Sequence, residues 1–191
     1  MIADWAWSSL AKLLFFHVIF LVLWGCASTQ LKPPESLEYR ASGKISARVD
    51  GRSSNANFRW QQGQGQYQIE IWGLLGQGRT WLRGNSEFMT VTRGDEVLAQ
   101  GAPQDVMQTH LGFYLPVEVM WAWLTGEAAT PDAEVNQGVE GHIDAISEFG
   151  WRVELARHKQ FFGPEGAWQP ARIVAQKAPL RLTVAIREFH Q

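Results

Sequence analysis

A chain of 191 residues can bury one full core but is short for two domains. Hydrophobic residues at 46% and charged residues at 19% are globular proportions, and they exclude a disordered chain. The formal net charge of −2 excludes a bulk attraction to nucleic acid or to an anionic surface.

The chain opens on a targeting segment. Lys12 precedes an apolar run from Leu13 to Trp24, interrupted only by His17. A membrane-spanning helix needs roughly 20 residues, so this shorter run suits the h-region of a signal peptide. It ends Leu23-Trp24-Gly25-Cys26, which has the form of a bacterial lipobox: Leu three before the cysteine, a small residue one before it. Trp24 departs from that form, whose middle position is usually small or β-branched. Cys26 is the single cysteine of the chain, so it has no internal disulfide partner. As a lipid-attachment residue it anchors a protein without a spanning helix, because each buried methylene contributes ~0.8 kcal/mol. The plainer reading makes it an apolar residue near the end of an ordinary signal peptide. Ala27 follows it; an Asp there would favour the inner membrane, so the pattern points to the outer one. Residues 27–36 are mostly small or polar, and Pro33-Pro34 favours extended backbone, as in a tether. The expected division is a signal peptide over 1–25, a lipidated tether over 26–36 and one domain over 37–191.

From Leu37 the period is two. Leu37, Tyr39, Ala41, Gly43, Ile45, Ala47 and Val49 alternate with polar neighbours, which predicts a long strand with one dry face. Asp50-Gly51 turns it. Ala56, Phe58 and Trp60 mark a second strand, and Tyr67, Ile69 and Ile71 a third. Gly73 to Gly78 is a loop, Thr80 to Arg83 a fourth strand, and Phe88 to Thr92 with Glu96 to Gln100 a hairpin. Then the period changes. Gln104 to Leu111 reads as a short helix. Val117, Met120, Trp121 and Leu124 fall at i, i+3, i+4 and i+7, a helix with Pro116 at its start and Gly126 past its end. Ala128 to Gln137 reads as a polar loop. Ile143 to Ser147, Trp151 to Leu155, Arg172 to Ala175 and Leu180 to Ile186 return to strand. The fold class is therefore mainly β, an antiparallel sheet interrupted by a helical insert that covers one face or end.

No catalytic motif has usable spacing: there is no nucleophile elbow, metalloprotease helix or phosphate loop. An enzyme, a cofactor and a metal are not expected. Binding features are present. The segment after Cys26 carries seven tryptophans, at 60, 72, 81, 121, 123, 151 and 168. Each alone suits a core; together they suit a wide cavity for flexible apolar ligands. Alternation puts Phe58, Trp60, Ile69 and Ile71 on the dry faces of adjoining strands, and with Trp123 of the helix they are the candidate cavity residues. Leu74 and Leu75 lie between glycines at a hairpin tip, where polar residues are the rule. Either the loop folds back and buries them, or it is an exposed probe for a membrane or partner.

These features together resemble the LolB family. The resemblance runs through the lipobox cysteine, the strand with Gly43, Phe58-Arg59-Trp60, and Gly73-Leu74-Leu75-Gly76. It continues through the helix Pro116 to Gly126 with Trp123-Leu124, then Trp151-Arg152-Val153-Glu154 and the strand Leu180 to Ile186. It implies an open half-barrel of antiparallel strands under a helical cover, with an apolar cavity between. It implies a lipid-anchored outer-membrane protein, facing the periplasm, that accepts lipoproteins from the carrier LolA, binds their acyl chains and inserts them. Neither a cofactor nor nucleic acid is implied, and the expected working unit is a monomer. Leu75 matches the family's protruding leucine; the family often has Pro before it, where this chain has Leu74, so either leucine could be the tip. The competing reading is an envelope lipoprotein of the same fold that binds a lipid or glycolipid.

Overall fold

The computed structural model describes residues 39–111, 114–138, 141–163 and 166–190. Cys26, the tether and the signal segment lie outside the described residues. The first half of the chain forms β1 (Tyr39–Val49), β2 (Arg52–Gly63), β3 (Gln66–Trp72), β4 (Thr80–Gly84), β5 (Met89–Arg93) and β6 (Glu96–Gly101). Helices α1 (Pro103–Leu111) and α2 (Val117–Thr125) follow. The second half forms β7 (Glu134–Gln137), β8 (Ile143–Glu148), β9 (Trp151–Gln160), β10 (Trp168–Lys177) and β11 (Leu180–His190).

Among the described residues these strands make one 11-stranded sheet, in the order β6-β5-β4-β3-β2-β1-β11-β10-β9-β8-β7. Every pairing is antiparallel. The order follows from hairpins alone, except that β1 and β11 meet at the centre and join the two halves. Gly43 sits at that seam, beside a bulge in the β1–β11 register. A Cβ on it would stand 2.0 Å from the backbone oxygen of Ala185. Neither strand can retreat without breaking its ladder. Gly43→Ala is therefore expected to cost about 1–3 kcal/mol, as overpacking does, measured by urea denaturation; unchanged stability would contradict this account of the seam.

The cover is held by packing and by one buried carboxylate. Leu124, Met120 and Val117 put one face of α2 into the core. Gly126 ends the helix in left-handed conformation, φ 88°, donating its N–H back to the last turn. Glu148 on β8 accepts hydrogen bonds from Trp123 Nε1, from the Ala129 and Thr130 N–H groups and from Thr130 Oγ1. It thereby ties α2 and the following loop to the sheet. Glu148→Ala leaves those donors unpaired and is expected to cost about 3 kcal/mol or more; a loss below about 1 kcal/mol would show that the tie is dispensable.

Three sequence expectations shift. The stretch read as loop up to Gln137 ends in β7, an edge strand exposed throughout; with no buried face it has no alternation to read. Strand β10 starts at Trp168, ahead of the expected Arg172, because Pro170 faces His158 within the β9 pairing and does not break the strand. The tryptophans do not gather in one place: Trp123 and Trp151 pack together, while Trp121 packs with Trp60.

Candidate functional site: an apolar cavity and an exposed leucine

The two halves of the sheet bury their inner faces differently. Behind β8 to β10, the space is filled. Trp123 and Trp151 pack ring against ring at 5.9 Å, with Ile146, Val153, Leu155 and Ile173 buried around them. Inside β1 to β6, a cavity of about 400 Å³ remains. Its wall includes Ile45, Phe58, Trp60, Ile69, Ile71, Leu82, Val91 and Leu98 from β1 to β6, and Val184 from β11. Val106, Met107, Val117, Met120 and Leu124 of the two helices close it over. In a flat sheet, β6 and β11 would stand roughly 29 Å apart, at ~4.8 Å per strand. One small cavity touches both, so this part of the sheet curls around it.

Of the candidate cavity residues, Phe58, Trp60, Ile69 and Ile71 line this space, and Trp123 does not. The reason is helical geometry. Trp123 precedes Leu124 by one residue, about 100° around the axis, so Leu124 faces the cavity while Trp123 faces the filled half. The other tryptophans are also spread out. Trp121 packs against Tyr39, Trp60 and Phe189. Trp72 and Trp81 belong to the outer face, and Trp168 stands half-exposed beside His142. Trp60 alone among them lines the cavity; Phe58 and mostly aliphatic and methionine side chains make up the rest. Met120 is legible in the sequence as part of the helix's apolar face, but neither it nor Met107 reads there as cavity wall, although unbranched thioethers suit a wall that must adapt to a flexible ligand.

The cavity is nearly free of charge. Thr80, Arg93 and His110 are the polar residues of its wall. Near its helical cover, burial and then the charge of Glu118 push the hydroxyls of Tyr67 and Tyr114 above their ordinary range, so both stay neutral. Among the described residues, no group of three His, Cys, Asp or Glu side chains is placed to hold a metal ion. No described helix is long and apolar enough to cross a membrane. A second recess, lined among others by Thr125, Glu127, Gln137, His142, Ile143, His158 and Trp168, mixes polar and apolar surface, and its two histidines stack at 4.6 Å.

Leu75 lies at the rim of the sheet. The β3–β4 connection is a 3-10 turn over Leu74–Gly76. The Gly73 N–H donates to Gln77 O at 2.9 Å, and the Gly76 N–H donates to Gly73 O at 3.2 Å. Inside this clamp Leu75 takes φ 68°, ψ 15°, the left-handed region, and its side chain is 94% exposed. The Leu74 side chain lies outside the described ones. A left-handed conformation costs an L-residue roughly 1–2 kcal/mol, and an exposed leucine adds no burial to offset it. Fold stability therefore gives no reason for leucine here.

Residues 37–189 match the family model described as "Outer membrane lipoprotein LolB". The chain is 28% identical to the outer-membrane lipoprotein LolB of Chromohalobacter salexigens, over 90% of this chain and 87% of the relative. It is 29% identical to that of Stutzerimonas stutzeri, over 95% and 96%, and 30% identical to that of Pseudomonas fluorescens, over 79% and 73%. Among solved structures it is similar to a LolA superfamily protein from Nitrosomonas europaea, with a TM-score of 0.48 and 8% identity over 83% of this chain and 87% of that one. With a family match that spans nearly all of the described sheet and both helices, the chain belongs to the LolB family of outer-membrane lipoproteins.

Proposed function

We propose that this protein sits at the periplasmic face of the outer membrane, held by lipid on Cys26, and receives lipoproteins from a LolA-type carrier and inserts them. The domain over 37–191 binds the acyl chains of the cargo in the cavity, and Leu75 brings the loaded cavity to the bilayer. No covalent chemistry is involved. The observation that carries this reading is the pairing of an apolar cavity with an exposed leucine on adjoining strands, in a member of this family.

The energetics set the order of events. A cargo with several acyl chains hides many methylenes, at ~0.8 kcal/mol each. Release into water is closed by that cost, so transfer runs from cavity to cavity. It proceeds without an energy source when this cavity holds the chains more tightly than the carrier does. The bilayer, a better solvent still, completes the descent.

The test is transfer of a labelled lipoprotein from a loaded LolA-type carrier to this protein in the absence of nucleotide, then onward to vesicles. Complete retention on the carrier would contradict the proposal. Transfer of free lipid or glycolipid in place of lipoprotein would favour the lipid-binding alternative.

A further inference from the structure

The strands that carry Leu75 present a second set of side chains on the face away from the cavity. Alternation sends Ile69, Ile71 and Leu82 inward and Glu70, Trp72, Trp81 and Arg83 outward. Register completes the set: Arg59 faces Glu70, and Glu70 faces Trp81. Glu70 is 1% exposed although its strand face looks outward. It is covered by its own partners, accepting one hydrogen bond from Arg59 Nη1 at 3.1 Å and another from Arg79 Nη1. Both guanidiniums also lie over the Trp72 ring, at 5.8 and 5.6 Å, and Arg83 lies over Trp81 at 4.7 Å.

This cluster opposes the charge of the whole. Three arginines against one carboxylate leave a local excess of two positive charges in a chain whose formal charge is −2. Arg59 and Arg79 stay about half-exposed, at 46% and 58%. A guanidinium has five N–H donors, so the bond to Glu70 leaves each arginine capacity for an outside acceptor while fixing its position. Trp72 ends β3 immediately before the Leu75 loop, and Arg79 immediately follows it. Arg83 stands four residues further from the tip, about 13 Å at strand rise. Moving away from the rim, the order is apolar tip, then tryptophan and arginine, then a further stacked pair. An apolar tip followed by tryptophan and arginine is the order of acyl region and headgroup region at a bilayer surface.

We propose that this outer face docks on phospholipid headgroups, with Arg59 and Arg79 seating phosphates beside Trp72, and Arg83 beside Trp81, as Leu75 enters the acyl layer. The proposal rests on the reading of Leu75 as a membrane probe and extends it from one side chain to a surface. Each arginine brings one positive charge to the phosphate layer. Glu70 then has a defined role: it prearranges two arginines before the membrane is met.

The test uses the lipidated protein with Gln77→Cys carrying an environment-sensitive dye, reconstituted in vesicles of phosphatidylethanolamine with phosphatidylglycerol, or of phosphatidylcholine alone. Loop occupancy of the membrane is expected to be higher in the anionic vesicles and to fall with added salt. Arg79→Gln with Arg83→Gln should lower it about fivefold per arginine. Lysine at both positions should restore most of it, and Arg187→Gln on β11 should change nothing. Occupancy is compared well below each variant's melting transition, because Arg79→Gln leaves the buried Glu70 with Arg59 as its one arginine partner and lowers stability. Equal occupancy in both vesicles, with the glutamine pair behaving as wild type, would overturn the proposal while a loss in Leu75→Glu kept the parent reading. Failure of lysine to rescue would assign the loss to packing and overturn it too. So would unchanged occupancy together with slower hand-over from the carrier, which would make this a protein-docking face. If Leu75→Glu leaves the dye signal unchanged, the parent reading falls and this one with it.

Discussion

Leu75→Glu is expected to leave cargo acceptance intact and to slow delivery into vesicles at least tenfold. Leu75 is not part of the cavity wall, so the acyl chains meet the same surface in the variant. Delivery differs, because entry of one leucine into lipid is worth ~1.5–3 kcal/mol, a factor of roughly 10 to 150. A carboxylate both removes that gain and opposes entry. The backbone sharpens the test. Leu75→Gly relaxes the left-handed conformation at φ 68°, so it should hold or raise the melting temperature while delivery still falls. Stability and function then move in opposite directions, which a structural role for the leucine does not allow. Normal delivery by Leu75→Glu would contradict the assignment.

Val91→Trp is expected to abolish most acyl-chain binding without unfolding the protein. Val91 lines the cavity from β5 and is only partly buried. An indole there enters about 400 Å³ of open space and displaces ligand. Loss of contact with about four methylenes is worth roughly 3 kcal/mol, or about a hundredfold in affinity. The comparison is Val153→Trp, at a fully buried position of the filled half. There the same change has no space to enter, and overpacking of that size should prevent folding. Binding of a fluorescent fatty acid and thermal melting, measured on both variants, separate the two halves. If Val91→Trp melts as Val153→Trp does, the space inside β1 to β6 is not a ligand cavity.

Much of the fold was legible because its strands have one dry face. Alternation alone located β1 to β3, β9 and β11, and the spacing of Val117, Met120 and Leu124 located α2. The same alternation put Phe58, Trp60, Ile69 and Ile71 on one wall. What escaped depends on distance in space. The curl that brings β6 and β11 to one cavity is a property of the whole sheet, and no local pattern encodes it. The assignment of Trp123 to the cavity weighed residue type above helical phase. Glu148 joins groups 18 to 25 residues away, and its role exists only once α2 has docked. Glu70 reads as a solvated outward residue by period, yet it is buried under two arginines that pairing alone brings near. The loop was the reverse case. Two leucines between glycines were visible at once, but only the fold shows that Leu75 faces solvent.

On the proposed function, the cavity between β1–β6 and the two helices holds the acyl chains of the cargo. The most direct measurement loads the protein with a lipoprotein whose acyl chain carries a photoreactive group near its end, then maps the crosslinks by mass spectrometry. The account predicts crosslinks at the cavity wall, on Phe58, Ile69, Met107 or Met120, and their loss in Val91→Trp. Crosslinks gathered instead at the second recess beside His142, His158 and Trp168, with the cavity wall unmarked, would contradict it.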